Sequence, residues 1–317
     1  MPSLASIDIG SNTVRLLIGK IENKKIVRQR CEMTITRLAA GINGTGVLNA
    51  ENIEKSISVL KEFSRLISEY KVAHVKAVGT SALREAKNSK EFINKILSET
   101  GIKTEVISGR EEAELTAKGV LFDIQNSGSS FIVDIGGGST EWIFCKNSSP
   151  SRRVESPTRM GTIPTGVVKL FDSHIKSDPP SKDDRASLKK ETGAVLDRLK
   201  ENMGDSINRS MVFIGTAGTI TTLAAIDLGL DTYNHEKIHA HKMSLKSLYE
   251  ISERLLSLPL RERKKLRGLE PERADLIIPG ILFTINIMET LGVTEMFVSD
   301  NGLLEGVLLR LSEEVSH

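Results

Sequence analysis

The segment FIVDIGGGSTEWIF, residues 131 to 144, combines two carboxylates, three consecutive glycines and two hydroxyls. Consecutive glycines let the backbone approach a ligand closely and let neighbouring amides converge on an anion. A tight turn alone needs only one glycine, so we interpret this segment as a phosphate-binding loop to which the hydroxyls add donors. The candidate phosphate-binding residues of this loop are Gly136, Gly137, Gly138, Ser139 and Thr140.

Carboxylates flank this loop on both sides. A carboxylate beside a bound phosphate repels it unless a cation lies between the two. Mg²⁺ prefers oxygen ligands and substrate phosphates, and catalysis with phosphates often uses it. We therefore predict that Asp134 and Glu141 hold Mg²⁺ or Mn²⁺ together with Asp8, which lies in a similar segment near the N-terminus.

The N-terminal segment LASIDIGSNTVRLLIGKI, residues 4 to 21, repeats the design of the first one: an apolar run, Asp-Ile-Gly, a polar turn and a second apolar run. The two aspartates, Asp8 and Asp134, are 134 − 8 = 126 residues apart. This spacing predicts two similar domains, each opening with a β-hairpin whose turn faces a shared cleft. The alternative is chance, because an apolar run followed by Asp-x-Gly recurs in many α/β proteins.

The elements that position these turns follow from the hydrophobic pattern. The segment ENIEKSISVLKEFSRLISEY has apolar residues at three- and four-residue steps, which is typical of an amphipathic helix. HVKAVG, KTEVIS, MVFIG and TEMFVSD are predicted strands, and helices are predicted between them. The helix ERADLIIPGILFTINIMETLG is expected to be interrupted at Pro279. The alternation predicts a layered α/β architecture, with a domain boundary in QNSGSS that separates residues 1–125 from residues 126–317.

Composition excludes several classes of protein. The 317 residues carry a formal net charge of +2, which is too small to indicate a nucleic-acid partner. No apolar stretch approaches the roughly 20 residues of a membrane helix, and the N-terminus lacks a signal-peptide pattern. Cys31 and Cys145 lack metal-site spacing and suit a reducing compartment, so a cytoplasmic protein without nucleic-acid or membrane partners is expected.

Eight segments together resemble the exopolyphosphatase / guanosine pentaphosphate phosphohydrolase family of the actin-like, ribonuclease H-like superfamily. They are DIGSNTVRLLI, TRLAAGI, AVGTSALREAKN, VISGREEAEL, VDIGGGSTE, FIGTAGTITTLAA, GLEPERADLIIPG and VSDNGLLEGVL. They occur in the family's order from residue 7 to residue 308. The resemblance implies two ribonuclease H-like α/β domains flanking a cleft, and it is compatible with a homodimer. One departure is in TRLAAGI, where the family usually has Gly-Glu at the positions of Ala39 and Ala40.

The resemblance also implies roles for individual residues. Glu112 matches the family's general base, and Asp134 and Glu141 match its metal cluster. Arg84 matches a phosphate-binding arginine. The remaining phosphate-binding candidates lie in the N-terminal turn and in the GTAGT turn, and they are Ser11, Asn12, Gly215, Thr216, Gly218 and Thr219.

The residues alone leave alternatives open. Glu111 and Glu112 fall in the first turn of a predicted helix, where the helix dipole stabilises carboxylates without any catalytic role. The favoured function is an exopolyphosphatase that releases terminal phosphate, and the alternative substrate is guanosine pentaphosphate. An actin-like ATP-dependent kinase or ATPase and a non-catalytic polyphosphate binder are the other hypotheses. The presence of Glu112, Asp134 and Glu141 argues against the last of these, because binding alone needs no base.

Overall fold

The structure is a computed structural model that describes residues 2–124, 129–146, 157–203 and 211–316. Its chain divides into two compact units. The first unit contains Met1–Asp123 together with Asn301–His317, and the second contains Ile124–Asp300. Of the predicted boundary stretch QNSGSS, residues 125–128 lie outside the described residues.

The first unit is built on one five-stranded sheet. Its strands are β1 (Leu4–Ile9), β2 (Thr13–Glu22), β3 (Lys25–Ile35), β4 (His74–Gly79) and β5 (Thr104–Val106). Their order is β3-β2-β1-β4-β5, in which β2 is antiparallel to both of its neighbours and β1, β4 and β5 are parallel. The predicted N-terminal hairpin is therefore confirmed as β1 and β2, at the centre of the sheet.

Helices cover both faces of this sheet. They are α1 (Ile42–Thr45), α2 (Ala50–Glu69), α3 (Ser81–Glu85), α4 (Ser89–Thr100), α5 (Gly109–Val120) and, near the C-terminus, α13 (Leu303–Glu314). Alternation along β1 separates the two faces, since Ile7 and Ile9 join the apolar cluster of α2 and α4. Leu4, on the opposite face of β1, packs with Leu308 of α13.

The backbones of α5 and α13 come into direct contact. A Cβ atom at Gly119 would overlap the carbonyl oxygen of Gly302, and one at Gly306 would overlap that of Leu115. This close packing places Asn301–His317 in the first unit. The predicted second domain, 126–317, therefore differs from the structure at its C-terminal end. A local sequence pattern indicates that α13 is a helix but not which sheet it packs against.

The second unit repeats the first with an added edge strand. Its strands are β6 (Ser130–Ile135), β7 (Thr140–Cys145), β8 (Arg159–Ile163), β9 (Val212–Thr216), β10 (Lys242–Ser244) and β11 (Glu295–Val298). Their order is β10-β11-β9-β6-β7-β8, again with an antiparallel hairpin, β6–β7, beside a parallel neighbour. Both units thus have the strand order of the ribonuclease H-like fold, and the predicted α/β class is confirmed.

The helices of the second unit enclose its main apolar core. They are α6 (Val167–His174), α7 (Lys182–Met203), α8 (Ala217–Asp227), α9 (His235–Ile238), α10 (Leu245–Ser257), α11 (Leu260–Arg263) and α12 (Ile277–Leu291). Phe131 stacks against Trp142 and Phe213, with ring centroids 6.4 and 6.1 Å apart. Trp142 is thus part of the core, and the two hairpin strands are anchored by aromatic packing.

The structure corrects the predicted interruption at Pro279. Pro279 is the third residue of α12, which runs continuously from Ile277 to Leu291. The first turn of a helix has no intrahelical partner for its N–H groups, so proline is tolerated there. The prediction also missed the strands β3, β8 and β10. β3 lies at the edge of its sheet, and its exposed charged residues hide the strand periodicity.

A buried carboxylate caps α7. Asp184 Oδ2 accepts hydrogen bonds from Ser177 Oγ at 2.6 Å and from Ser181 N at 3.0 Å, and Ser181 Oγ accepts one from Asp184 N at 3.0 Å. The two bonds between Ser181 and Asp184 are reciprocal, as in a capping box. The hydrogen bond from Ser177 lowers the pKa of Asp184 from 3.8 to about 2.

Replacing this cap should destabilise the second unit in a pH-dependent way. We expect Asp184→Ala to lower the free energy of unfolding by about 1–2 kcal/mol at neutral pH. Because the folded pKa lies below the unfolded one, this contribution is complete above pH 3.8 and is lost as pH falls through about 2. Urea unfolding at neutral pH and at about pH 2 measures this contribution, and Asp183→Ala, at an exposed neighbouring position, is the control. Equal losses in the two variants would contradict the assignment.

Candidate active site

The turn of the first hairpin carries three predicted site residues, Asp8, Ser11 and Asn12, all of them buried. Asp8 Oδ2 accepts hydrogen bonds from Arg15 Nε at 3.0 Å and Arg15 Nη2 at 2.5 Å, and Arg15 is the residue directly opposite on β2. Among the described residues, Asp8 Oδ1 and Asn12 Oδ1 have no hydrogen-bond partner. Buried oxygens of this kind call for a ligand, since an unpartnered acceptor is destabilising.

Arg84 and Glu112, predicted from separate motifs, meet in the first unit. Arg84 Nη1 donates to Glu112 Oε2 at 2.6 Å and to the carbonyl oxygen of Ile107 at 3.1 Å. Ser108 caps α5 by accepting a hydrogen bond from the amide of Glu111, which starts the helix so that Glu112 turns inwards. Glu112 is 7% exposed, whereas Glu111 is only partly buried. The structure thus distinguishes two adjacent carboxylates that the helix dipole alone cannot separate.

The second hairpin brings Asp134 and Glu141 together. They are directly opposite each other on β6 and β7, and both are buried. On its other side, Asp134 is level with Thr216 of β9. Like charges at directly opposite positions of a sheet repel each other, and burial increases this repulsion. A bound cation or a shared proton would relieve this repulsion, and a role of the pair as metal ligands stays a prediction.

The hydroxyls of Thr140 and Thr219 hold backbone carbonyls. Thr140 Oγ1 donates to the carbonyl oxygen of Thr165 at 2.7 Å, and Thr219 Oγ1 donates to that of Ile135 at 3.2 Å. Both hydroxyl protons therefore stabilise the surroundings of the glycine loop. A direct role of these two residues towards phosphate stays a prediction.

The GTAGT turn, Gly215 to Thr219, joins β9 to α8. Ala217 has a φ of 71°, in the left-handed region that non-glycine residues rarely adopt. The guanidinium of Arg273 lies so close to Gly218 that a Cβ atom there would overlap it, and Arg273 Nε also bonds Glu270. Arg273 was not among the predicted site residues, although its motif, GLEPERADLIIPG, is one of the segments that indicate the family.

The predicted residues form separate groups within each unit. The first unit contains the Asp8 turn and the Arg84–Glu112 pair, and the second contains the glycine hairpin and the GTAGT turn. Across the ranges that the structure describes, no three or more His, Cys, Asp or Glu side chains form a ready metal site. In those same ranges, no helix is both long enough and apolar enough to cross a membrane.

Comparison with known proteins shows which family the chain belongs to. The model of the Ppx/GppA phosphatase family matches residues 18–315. The chain belongs to this family. A crystal structure of the Aquifex aeolicus member of the Ppx/GppA family superimposes with a TM-score of 0.82 at 33% sequence identity, and it covers 100% of this chain and 99% of its own.

Relatives in the family carry several names. The chain is 28% identical to exopolyphosphatase 2 of Mycobacterium tuberculosis, with 98% of each protein covered. It is 26% identical to the guanosine-5'-triphosphate,3'-diphosphate pyrophosphatase of Aliivibrio fischeri, covering 100% of this chain and 60% of that protein. It is 31% identical to the bifunctional 3-dehydroquinate synthase/phosphatase of Fusobacterium nucleatum over 96% of this chain, but it spans only 46% of that protein.

A double-mutant cycle should measure the Arg84–Glu112 pair directly. Arg84→Met removes the guanidinium that donates to the buried Glu112, so we expect each single variant to lower the free energy of unfolding and the double variant to lower it by less than the sum. Because Arg84 keeps a side-chain exposure of 21%, we expect a coupling energy of about 1–2 kcal/mol. Denaturant unfolding of Arg84→Met, Glu112→Gln and the double variant measures it. Additive losses would show that the pair contributes nothing.

Proposed function

We propose that this chain is an exopolyphosphatase, which hydrolyses the terminal phosphoanhydride of inorganic polyphosphate and releases orthophosphate. The observation that supports this most is the hairpin of the second unit, where Asp134 and Glu141 face each other beside three glycines. Membership of the Ppx/GppA phosphatase family and the name of the Mycobacterium relative support the same activity.

The donor set fits a hard divalent cation. Asp134 and Glu141 offer buried carboxylate oxygens, the ligands that Mg²⁺ and Mn²⁺ prefer. Asp8, the third predicted ligand, offers Oδ1, a buried oxygen with no hydrogen-bond partner among the described residues. When bound, such a cation would offset the negative charge of a phosphoryl group.

The residues of the chain have distinct roles in the proposed reaction. Glu112 accepts a proton from a water molecule whose oxygen attacks the terminal phosphorus in line with the scissile bond. The new oxygen–phosphorus bond forms as the bridging bond breaks, and the shortened polyphosphate leaves with the bridging oxygen. Arg84 and the backbone amides of the glycine loop donate to the phosphoryl oxygens, where charge is greatest. No covalent enzyme intermediate is required.

The ion pair between Arg84 and Glu112 couples binding to this step. Arg84 Nη1 now donates to Glu112 at 2.6 Å, and a bound phosphate competes for the same guanidinium. A carboxylate that loses its cationic partner becomes a stronger base. Engagement of Arg84 by the substrate would therefore make Glu112 more basic when a phosphate is present.

Guanosine pentaphosphate is the second candidate substrate. The Aliivibrio relative, named for that class of nucleotide, favours it, and both substrates present a terminal phosphoanhydride. Purified protein should be assayed for orthophosphate release from long-chain polyphosphate and from guanosine pentaphosphate, without added ATP. Release from either supports the phosphohydrolase, and the faster one identifies the substrate. Turnover only with ATP would indicate a kinase or ATPase, and tight binding without turnover would indicate a binding protein.

Removal of divalent cations should abolish activity. We expect orthophosphate release to stop in excess chelator and to return with Mg²⁺ or Mn²⁺, because like charges crowd the second hairpin. Asp134→Asn and Glu141→Gln should raise the Mg²⁺ concentration needed for half-maximal rate, whereas the exposed Asp183→Asn should not. Full activity of the wild-type protein in excess chelator would contradict the proposed metal ligands.

Adjacent glutamates on α5 test the assignment of the base. Successive residues of a helix point about 100° apart, so only one of Glu111 and Glu112 can face the same ligand. Glu112→Gln keeps the shape but removes the proton acceptor, and we expect a loss of about 10²- to 10⁴-fold in kcat. Binding of substrate should survive, because removing a negative charge does not weaken attraction for a polyanion. Glu111→Gln, the matched control, should retain nearly full kcat.

Rates and equilibrium binding of both variants distinguish the outcomes. An inactive Glu111→Gln variant together with an active Glu112→Gln variant would mean that Glu111 is the base. If both variants remain active, the base lies elsewhere and Asp134 and Glu141 become the next candidates.

A further inference from the structure

Two backbone carbonyls of the glycine loop are held by the start of α6. Gly136 O accepts a hydrogen bond from Val167 N at 3.0 Å, and Gly137 O accepts one from Val168 N at 2.9 Å. A trans peptide group is planar, with its C=O and N–H pointing in opposite directions. The amides of Gly137 and Gly138 therefore both point away from α6. Two consecutive amides with one direction form an arrangement suited to an anion.

Gly166 permits this contact. A Cβ atom at Gly166 would lie 2.5 Å from the carbonyl carbon and oxygen of Gly137 and 2.6 Å from Gly136 O. These are backbone atoms, so the loop itself would have to move. The dihedral angles of Gly166, φ −134° and ψ 175°, are extended values that any residue adopts. The position therefore needs a glycine for space and not for conformation.

The first unit contains the same device. Ser11, which is 126 residues before Gly137, has its carbonyl oxygen held by Ala39 N at 2.9 Å. Asn12 O accepts hydrogen bonds from Thr36 N at 3.0 Å and Arg37 N at 2.9 Å. The amide of Asn12 therefore points away from this segment, as that of Gly138 points away from α6. In both units, the supporting segment follows the third strand of the sheet, β3 or β8.

We propose that residues 36–39 and 165–168, the turn-support segments, are positioning elements of the active site. They touch the loops and not the substrate. By holding the carbonyls of the hairpin turns, they direct the amides of Asn12, Gly137 and Gly138 towards the phosphates of the substrate. This inference rests on the proposed function, because it assigns those amides to polyphosphate oxygens. It adds to the site a segment, PTGVVK, that no catalytic motif includes.

A proline at Val167 tests the support with little disturbance of the helix. Val167 is the first residue of α6, a position at which helices tolerate proline, and Gly166 already has the extended backbone that precedes proline. Val167→Pro removes the N–H that holds Gly136 O. Val167→Ala, the matched control, also removes the valine side chain but keeps that N–H. We expect Val167→Pro to lower kcat on polyphosphate on the order of 10²-fold relative to Val167→Ala.

Gly166→Ala provides an independent test with its own control. The added methyl group should push the loop carbonyls away and lower kcat, with a smaller effect on KM. Gly193→Ala in α7, where an added Cβ atom meets nothing within 4 Å, should leave both constants unchanged. The rise in melting temperature produced by inorganic tripolyphosphate with Mg²⁺ gives a readout that does not need turnover. This rise should be smaller in Gly166→Ala and in Val167→Pro, and it should be unchanged in the controls Gly193→Ala and Val167→Ala.

The outcomes separate this proposal from the proposed function. The positioning role would be overturned if Gly166→Ala and Val167→Pro both fold and have the same kcat and the same tripolyphosphate-induced thermal shift as their controls. Loss of folding in both variants, while Val167→Ala folds, would also overturn it, since the contact would then serve stability alone. A wild-type protein that hydrolyses no phosphoanhydride would refute the proposed function. In that case a smaller tripolyphosphate shift in the two variants would still support the positioning of the amides.

Discussion

Repulsion between negative charges is the physical constraint that the proposed site has to satisfy. Asp134 and Glu141 are buried opposite each other, and the proposed substrate is itself a polyanion. Groups that bind phosphate and carry no negative charge are therefore needed near these carboxylates. Backbone amides carry no negative charge, and a run of three glycines lets them approach a ligand closely. The same constraint explains why a buried carboxylate such as Glu112 is paired with an arginine.

The two units solve one structural problem with different side chains. Asp8 and Asp134 are equivalent in sequence, and each faces a residue seven positions later on the neighbouring strand. That residue is Arg15 in the first unit and Glu141 in the second. The arginine neutralises its aspartate, whereas the glutamate doubles the negative charge. The two hairpins therefore differ in charge at equivalent positions, although they share the same strand pairing.

Local signals in the sequence predicted most elements, because a hairpin or an amphipathic helix depends on residues close to each other in the chain. The hairpins β1–β2 and β6–β7 and the amphipathic helix Ala50–Glu69 illustrate this. Contacts between distant segments were not predictable in this way. The ion pair of Arg84 with Glu112 joins residues that only the folded sheet brings together, and the return of α13 depends on backbone contact at Gly119. The glycine loop was visible as a candidate site because its residues are contiguous, whereas its support at Gly166 was not.

The two turn-support segments place different constraints on the sequence. Ala39 supports Ser11 through its backbone N–H, which every residue except proline provides. The departure from the usual family residues at Ala39 and Ala40 therefore leaves that support intact. Gly166 makes its contact at the position that a Cβ atom would occupy, so only glycine fits. The two segments thus hold the carbonyls of their turns in different ways, one with a glycine required for space and the other with a backbone N–H that most residues provide. Neither segment needs a side chain that sequence analysis would recognise as catalytic.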